Sequence, residues 1–170
     1  NPTVLNFSSA GNGTIMHLTG EAFKAETGTQ MVHIPYKGSG LSIPDLISGK
    51  VHVLFDSIVS GIGHVQDGSL TALAVLGKNR SPLLPNLPTM AEQGYPEVEV
   101  LNWQGLVGPK GLSPELIATL NKACNKALSD PDVREKITSQ GNEVMGGTPE
   151  QFAALIRAES PRWGKVVQAA

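Results

Sequence analysis

"TVLNFSSAGNGTIMHLTGEAFKAETG", residues 3–28, runs from an apolar-edged, β-rich segment through a small-residue turn into a stretch with helical spacing. Strand, glycine turn and helix in that order form the opening half of a βαβ unit. Glycine at positions 11 and 13 frees the backbone from Cβ clashes, and a helix start presents N–H groups with no partner of their own. Such a turn suits an anion, and phosphate, nucleotide and carboxylate all qualify.

The pattern repeats outward from this unit. "TVLNFS" (3–8), "MVHIP" (31–35), "VHVLFD" (51–56) and "LTALAVLG" (70–77) read as strands. Residues 13–28, 41–50 and 57–68 read as the intervening helices, the first with the clearest periodicity. A βαβαβαβ series predicts an α/β fold with a largely parallel sheet and helices on both faces. Ligands of such sheets sit at the carboxyl ends of the strands. Three turns fall there: "SSAGNG" (8–13), "PYKGSG" (35–40) and the pair Asp56–Ser57.

Composition narrows the guest. With 170 residues, 40% hydrophobic and 16% charged, the chain supports one ordinary core or two small ones. A formal charge of -2 and scattered basic residues argue against nucleic acid or an anionic membrane as partner. The one cysteine, Cys124, lies at helical spacing in "LIATLNKACNKAL" and reads as a packed thiol. His17, His33, His52 and His64 lack the spacing of a zinc site, so neither a metal nor a cofactor is expected. No run reaches the roughly 18 apolar residues of a spanning helix, so no direct membrane insertion is expected. The sequence opens on Asn1 almost directly at a strand, which reads as a processed chain or a piece of a longer one, truncated at its N-terminus.

Past residue 77 the character changes. Pro82, Pro85, Pro88 and Pro96 make an extended connector with one helical turn near "TMAEQG" (89–94), followed by a strand-like run at 99–108. Two or three helices close the sequence, with starts after Ser113, Asp130 and Thr148, each of which precedes a proline at the first helical position. Gln151 completes a capping box with Thr148.

The candidate site is then explicit. A carboxylate over the first turn accepts from the Ser9 hydroxyl and from backbone N–H groups of Gly11, Asn12, Gly13 and Thr14, aided by the helix dipole. Three or four such bonds at about 1.5–3 kcal/mol each approach the roughly 8 kcal/mol of a micromolar complex before ordering costs, so a second wall is needed. In the second turn Tyr36 offers a ring or hydroxyl, Ser39 a hydroxyl and Gly38 close backbone approach, while Lys37 is either solvated or in contact with the anion. Asp56 either accepts from an amine or hydroxyl on the ligand or caps the next helix. His17 reads first as a packed, hydrogen-bonded histidine that orients the turn, and alternatively as a pocket residue. A hydrolase using Ser9, His17 and Asp56 is the competing enzyme reading, though Ser9 lacks the G-x-S-x-G setting. "SAGNGT" fits neither nucleotide fingerprint.

"HIPYKGSG" (33–40), "DLISGKVHVLFDS" (45–57), "LPNLPTMAEQGYPEVEVLNWQGLVGPKGLSPELIATLN" (84–121) and "GNEVMGGTPEQFAALIRAESPRWGKVV" (141–167) together resemble the substrate-binding proteins of tripartite tricarboxylate transporters, the Bug or TctC family. The resemblance implies a type II periplasmic-binding-protein-like fold: two α/β domains that close on a small organic anion. Residues 1–99 would correspond to the second domain and residues 100–170 to the returning part of the first, with Trp103 where the chain crosses. The first half of domain one, with a ligand-contacting proline- and glycine-rich loop, has no counterpart here. It further implies a periplasmic, non-catalytic protein whose signal peptide has been removed. Its ligand would be a di- or tricarboxylate, an amino acid or an aromatic acid, and its partners the transporter's membrane components. A ligand-sensing or interaction domain on the same fold is the alternative.

Overall fold

The computed structural model of the chain describes residues 5–100 and 102–169. Its centre is strand β1 (Asn6–Ser9), flanked by β2 (Val32–Pro35) and β3 (Val53–Leu54) in a parallel sheet of order β2-β1-β3. Phe7 stands opposite His33 on one side and Val53 on the other, and Ser9 opposite Pro35. Helix α1 (Ile15–Thr27) starts at Thr14, whose hydroxyl accepts from the His17 amide, and ends at Gly28 in the left-handed region at φ +66°. The alternating α/β order read from the sequence thus folds as a parallel sheet flanked by helices.

Helix and strand pack through a deliberate gap. Phe7 is fully buried and forms the core with Met31 and Phe55, supported by Phe23, Val53 and Leu76. A Cβ on Gly20 of α1 would stand 2.1 Å from a Phe7 ring carbon, so only glycine lets the helix rest on this ring. Phe55 meets Phe7 edge-on at 5.7 Å between ring centroids. The helices α2 (Ile43–Ile47) and α3 (Ile58–Gln66) complete the connections.

Two expected strands are not formed among the described residues. Residues 70–77 carry a single parallel bridge, Val75 to Thr89, in place of a fourth strand. The Val75 amide donates to the Pro88 carbonyl and its carbonyl accepts from Met90, both at 2.9 Å. The partner is therefore the proline connector: Pro88 has no N–H to extend the ladder backwards, and the turn Ala91–Gln93 ends it on the other side. Residues 99–108 show no strand among the described residues, and Leu101 lies outside them. The helical turn expected near 89–94 is a 3-10 turn, Ala91–Gln93. Arg80 braces this segment by donating through Nε to both Glu92 oxygens at 2.9 and 3.1 Å.

Packing divides the chain into a first unit, Asn1–Asn102 with Lys165–Ala170, and a second, Trp103–Gly164. The second unit contains α4 (Pro114–Ser129), α5 (Pro131–Thr138) and most of α6 (Pro149–Ala169). Ser113 and Asp130 cap as expected, their side chains accepting from Leu116 and from Asp132 and Val133. Thr148 and Gln151 exchange the reciprocal bonds of a capping box. Asn121 and Asn125 on α4 both donate to the Gly147 carbonyl at 2.9 Å, and the Gly147 amide donates back to Asn125. Trp103 packs edge-on against Phe152 at 5.2 Å. Cys124 is half-buried and free.

Candidate functional site

β1 lies between β2 and β3, so the turns that leave the carboxyl ends of all three strands share one edge of the sheet. The backbone joins two of the expected turns there. Tyr36 N–H donates to Ser9 O at 3.1 Å, and Gly38 N–H to Ala10 O at 3.2 Å. Gly11, at φ +138°, faces the Tyr36 carbonyl so closely that a Cβ would stand 3.4 Å from it. The turns 8–13 and 35–40 therefore form one surface.

Under that surface Ser9 is fully buried. Its hydroxyl bonds the amide and the carbonyl of Gly11, each at 3.1 Å, and His33 Nε2 at 2.7 Å. His33 stacks on His17 with 3.9 Å between ring centroids, and on Phe7 at 4.9 Å. His17 Nδ1 accepts from the Gly13 amide at 3.2 Å, and its Nε2 lies 3.8 Å from Glu21. Thr14 Oγ1 donates to the Gly11 carbonyl at 2.7 Å while accepting from His17 N–H. A pair of stacked imidazoles thus grips both ends of the turn from below, one at Ser9 and one at Gly13. Burial, and then the neighbouring His17, hold His33 below the ordinary imidazole value, with Glu21 opposing and Lys24 adding to the depression.

These bonds decide which donors remain outward. The amides of Gly11, Gly13 and Thr14 are engaged within the turn, at Ser9 Oγ, His17 Nδ1 and Gly11 O. Asn12 is exposed at its tip, and the amides of Ile15 and Met16 belong to the first helical turn, where no intrahelical acceptor exists. In the second turn the Tyr36 hydroxyl donates to Asp45 at 2.8 Å, and Lys50 donates to the same carboxylate at 3.1 Å. The hydrogen bond to Asp45 raises the Tyr36 hydroxyl, and that bond followed by Lys50 lowers the Asp45 carboxyl. Lys37 is exposed, Gly38 sits at φ +114°, and Ser39 is half-buried with its carbonyl accepting from Ser42. Asp56, two residues beyond β3, accepts from the Ser60 hydroxyl of α3. Ser57 occupies the N-cap without a side-chain cap bond.

The hydrolytic arrangement is not assembled. Ser9 bonds His33 rather than His17, and a fully buried serine offers no approach to a substrate. Among the described residues no cluster of three histidine, cysteine, aspartate or glutamate side chains could hold a metal ion, and no helix is long and apolar enough to cross a membrane. An open groove of about 550 Å³, lined by Val65, Leu70, Leu83, Leu84 and Leu87 among others, lies beside the connector and apart from these turns. His33 is the site residue that sequence reasoning left unassigned. Its place in a strand was legible, but its pairing with Ser9, 24 positions away, depends on the parallel register of β1 and β2.

The profile of the family described as "Tripartite tricarboxylate transporter family receptor" matches residues 1–170. A curated protein from the tcbD-tcbE intergenic region of Pseudomonas sp. strain P51 is 39% identical over 168 residues, covering 98% of this chain and 50% of that protein. An R. palustris protein solved with adipate superposes with a TM-score of 0.84 at 32% identity, over 99% of this chain and 56% of that one. MatC from Rhodopseudomonas palustris, solved with bound malate, gives 0.80 at 30% identity, over 98% and 57%. The chain therefore spans about half the length of the curated relative it matches.

Proposed function

Because the chain belongs to the tripartite tricarboxylate transporter receptor family, we propose that it binds a small organic carboxylate reversibly and without chemistry. The ligand's destination is the transporter's membrane components. Family membership places such a receptor in the periplasm. The observation that carries the reading is the bonded pair of turns at the carboxyl end of β1, with the first-turn amides of α1 opening onto them. A carboxylate there meets Asn12, the amides of Ile15 and Met16 and the positive end of the α1 dipole. Tyr36, Lys37, Gly38, Ser39 and Asp56 rim the same edge, while Ser9, Gly11, Gly13 and Thr14 hold the shape of the turn. The solved relatives with adipate and malate direct the choice towards dicarboxylates.

On this reading residues 1–99 are one wall of a two-domain receptor, and closure of the facing wall completes the bonds that one turn cannot supply. Calorimetric titration of the chain with malate, adipate, a tricarboxylate, an aromatic acid and an amino acid, paired with melting curves, tests it. Saturable heat and a raised melting temperature with at least one acid are expected. A flat response to the whole panel refutes the reading.

A further inference from the structure

We propose that Asn12 is a self-modification site: its side-chain amide is lost to water through attack by the Gly13 backbone nitrogen, with His17 as the base, and the carboxylate left behind blocks the turn. The chemistry follows from the turn's own geometry, and its effect on binding rests on the carboxylate-binding reading.

Asn12 is the one asparagine of the sequence followed by glycine. A following residue without Cβ leaves its nitrogen open to the side-chain carbonyl carbon. Asn12 is exposed, and nothing lies within 4 Å of where a Cβ on Gly13 would stand. Gly11 at φ +138° and Gly13 at φ +74° flank it, so the peptides on either side turn without Cβ strain. Asn6, Asn121 and Asn125, by contrast, hold their side-chain amides on backbone carbonyls. The attacking nitrogen is already paired with a base: Gly13 N–H donates to His17 Nδ1 at 3.2 Å, within reach for general-base proton transfer. His17 is itself held in place, stacked on His33 at 3.9 Å with its Nε2 3.8 Å from Glu21.

In the first step Gly13 N bonds to Asn12 Cγ and gives its proton to His17. The bond from Cγ to the side-chain nitrogen breaks, and that nitrogen leaves as ammonia with the proton returned by the imidazole. The product is a cyclic imide. Water then adds to one of its two carbonyl carbons: cleavage at Cγ restores the chain with an α-aspartyl residue, and cleavage at the backbone carbonyl gives the isoaspartyl link. On either route amide and water become carboxylate and ammonium, with no oxidant or reductant. The new carboxylate lies two residues before Thr14, the N-cap of α1, where the helix dipole and the first-turn amides of Ile15 and Met16 favour negative charge. It competes for those amides from within the chain and repels a second anion, while leaving the helix no less stable.

The test ages the chain in warm neutral buffer and follows position 12 by peptide mass mapping, with an isoaspartyl-specific methyltransferase as a second probe. The mass change of an NH2-to-OH exchange is expected at Asn12 ahead of every other asparagine, and is expected to be absent in Asn12→Gln, whose longer side chain closes a ring less readily. His17→Phe keeps an aromatic ring for the stack and removes the base; the reaction is expected to slow about tenfold or more. Should that variant fail to fold, unfolding the wild-type chain in urea withdraws the same base, and the reaction is expected to slow there. No preference for Asn12, or a rate that does not fall when the base is lost, overturns the proposal. The aged chain, separated by charge, is expected to bind malate about fivefold or more weakly than the fresh chain, with its melting temperature unchanged or raised. Equal affinity in the two overturns the blocking role. Absence of binding by the fresh chain refutes the carboxylate reading and the blocking role with it, whereas the modification kinetics judge the chemistry at Asn12 by themselves.

Discussion

Replacing Gly20 by alanine puts a methyl group 2.1 Å from one Phe7 ring carbon and 2.6 Å from two others, where carbon contacts need about 3.5–4.0 Å. About 1.5 Å of relief is required, and the ring has little room to supply it. It is fully buried, with His33 stacked at 4.9 Å and Phe55 edge-on at 5.7 Å. Overpacking costs about 1–3 kcal/mol, and alanine returns about 1 kcal/mol of helix propensity, so a net loss of up to about 2 kcal/mol is expected in the first unit. Phe7→Leu shortens the obstructing ring. The double variant should therefore be more stable than the sum of the singles by about 1 kcal/mol or more. Both tryptophans, Trp103 and Trp163, lie in the second unit, so hydrogen exchange at the β1 amides is the suitable assay. Alanine at position 20 that stabilises β1, or effects that add within about 0.5 kcal/mol, would refute the argument that this glycine sets the helix-to-sheet distance.

Ser9→Ala leaves the Gly11 amide and His33 Nε2 without their shared partner beneath the turn; a loss of about 1–3 kcal/mol is expected in urea unfolding, with weakened carboxylate binding by calorimetry. Tyr36→Phe should leave carboxylate affinity within about twofold, because the hydroxyl is committed to Asp45; the Asp45 titration followed by NMR should move upward instead. Asn125→Ala removes two of the three side-chain bonds to Gly147, leaving that of Asn121, and is expected to cost the second unit about 1–3 kcal/mol, read by tryptophan fluorescence on unfolding. Stability should fall in two stages on acidification, checked by melting curves. His33, depressed in the folded state, binds protons more readily when unfolded, so its contribution is full above about pH 6.5 and is lost as pH falls towards its folded value. Asp45, Asp67, Glu92 and Glu150, also held low, keep their contributions above the ordinary carboxylate range and lose them as pH drops below it.

Much of this was legible in the chain. Spacing alone marked the first strand, the glycine turn and α1, because apolar periodicity and cap chemistry are properties of neighbouring residues. Ser113, Asp130 and Thr148 announced their helices for the same reason: each cap bond spans two or three positions. The four quoted motifs identified the family. Residues 70–77, by contrast, are a β-rich run yet carry one bridge, since strand formation depends on a partner and their partner is rich in proline. Tyr36 promised a hydroxyl for the ligand and gives it to Asp45, nine positions on.

What the sequence by itself determined is the local chemistry: a glycine-bearing turn at a helix start, followed by a second such turn after the next strand. The tertiary structure decided what holds that turn. The parallel register places His33 beside Phe7 and under Ser9, and Gly20 brings α1 close enough for His17 to stack on it. These contacts join residues 16 and 24 positions apart, and no periodicity encodes them. The physical reason is that hydrogen-bond partners and proton locations depend on distances across packed elements, and those distances exist only after the sheet and helix have met.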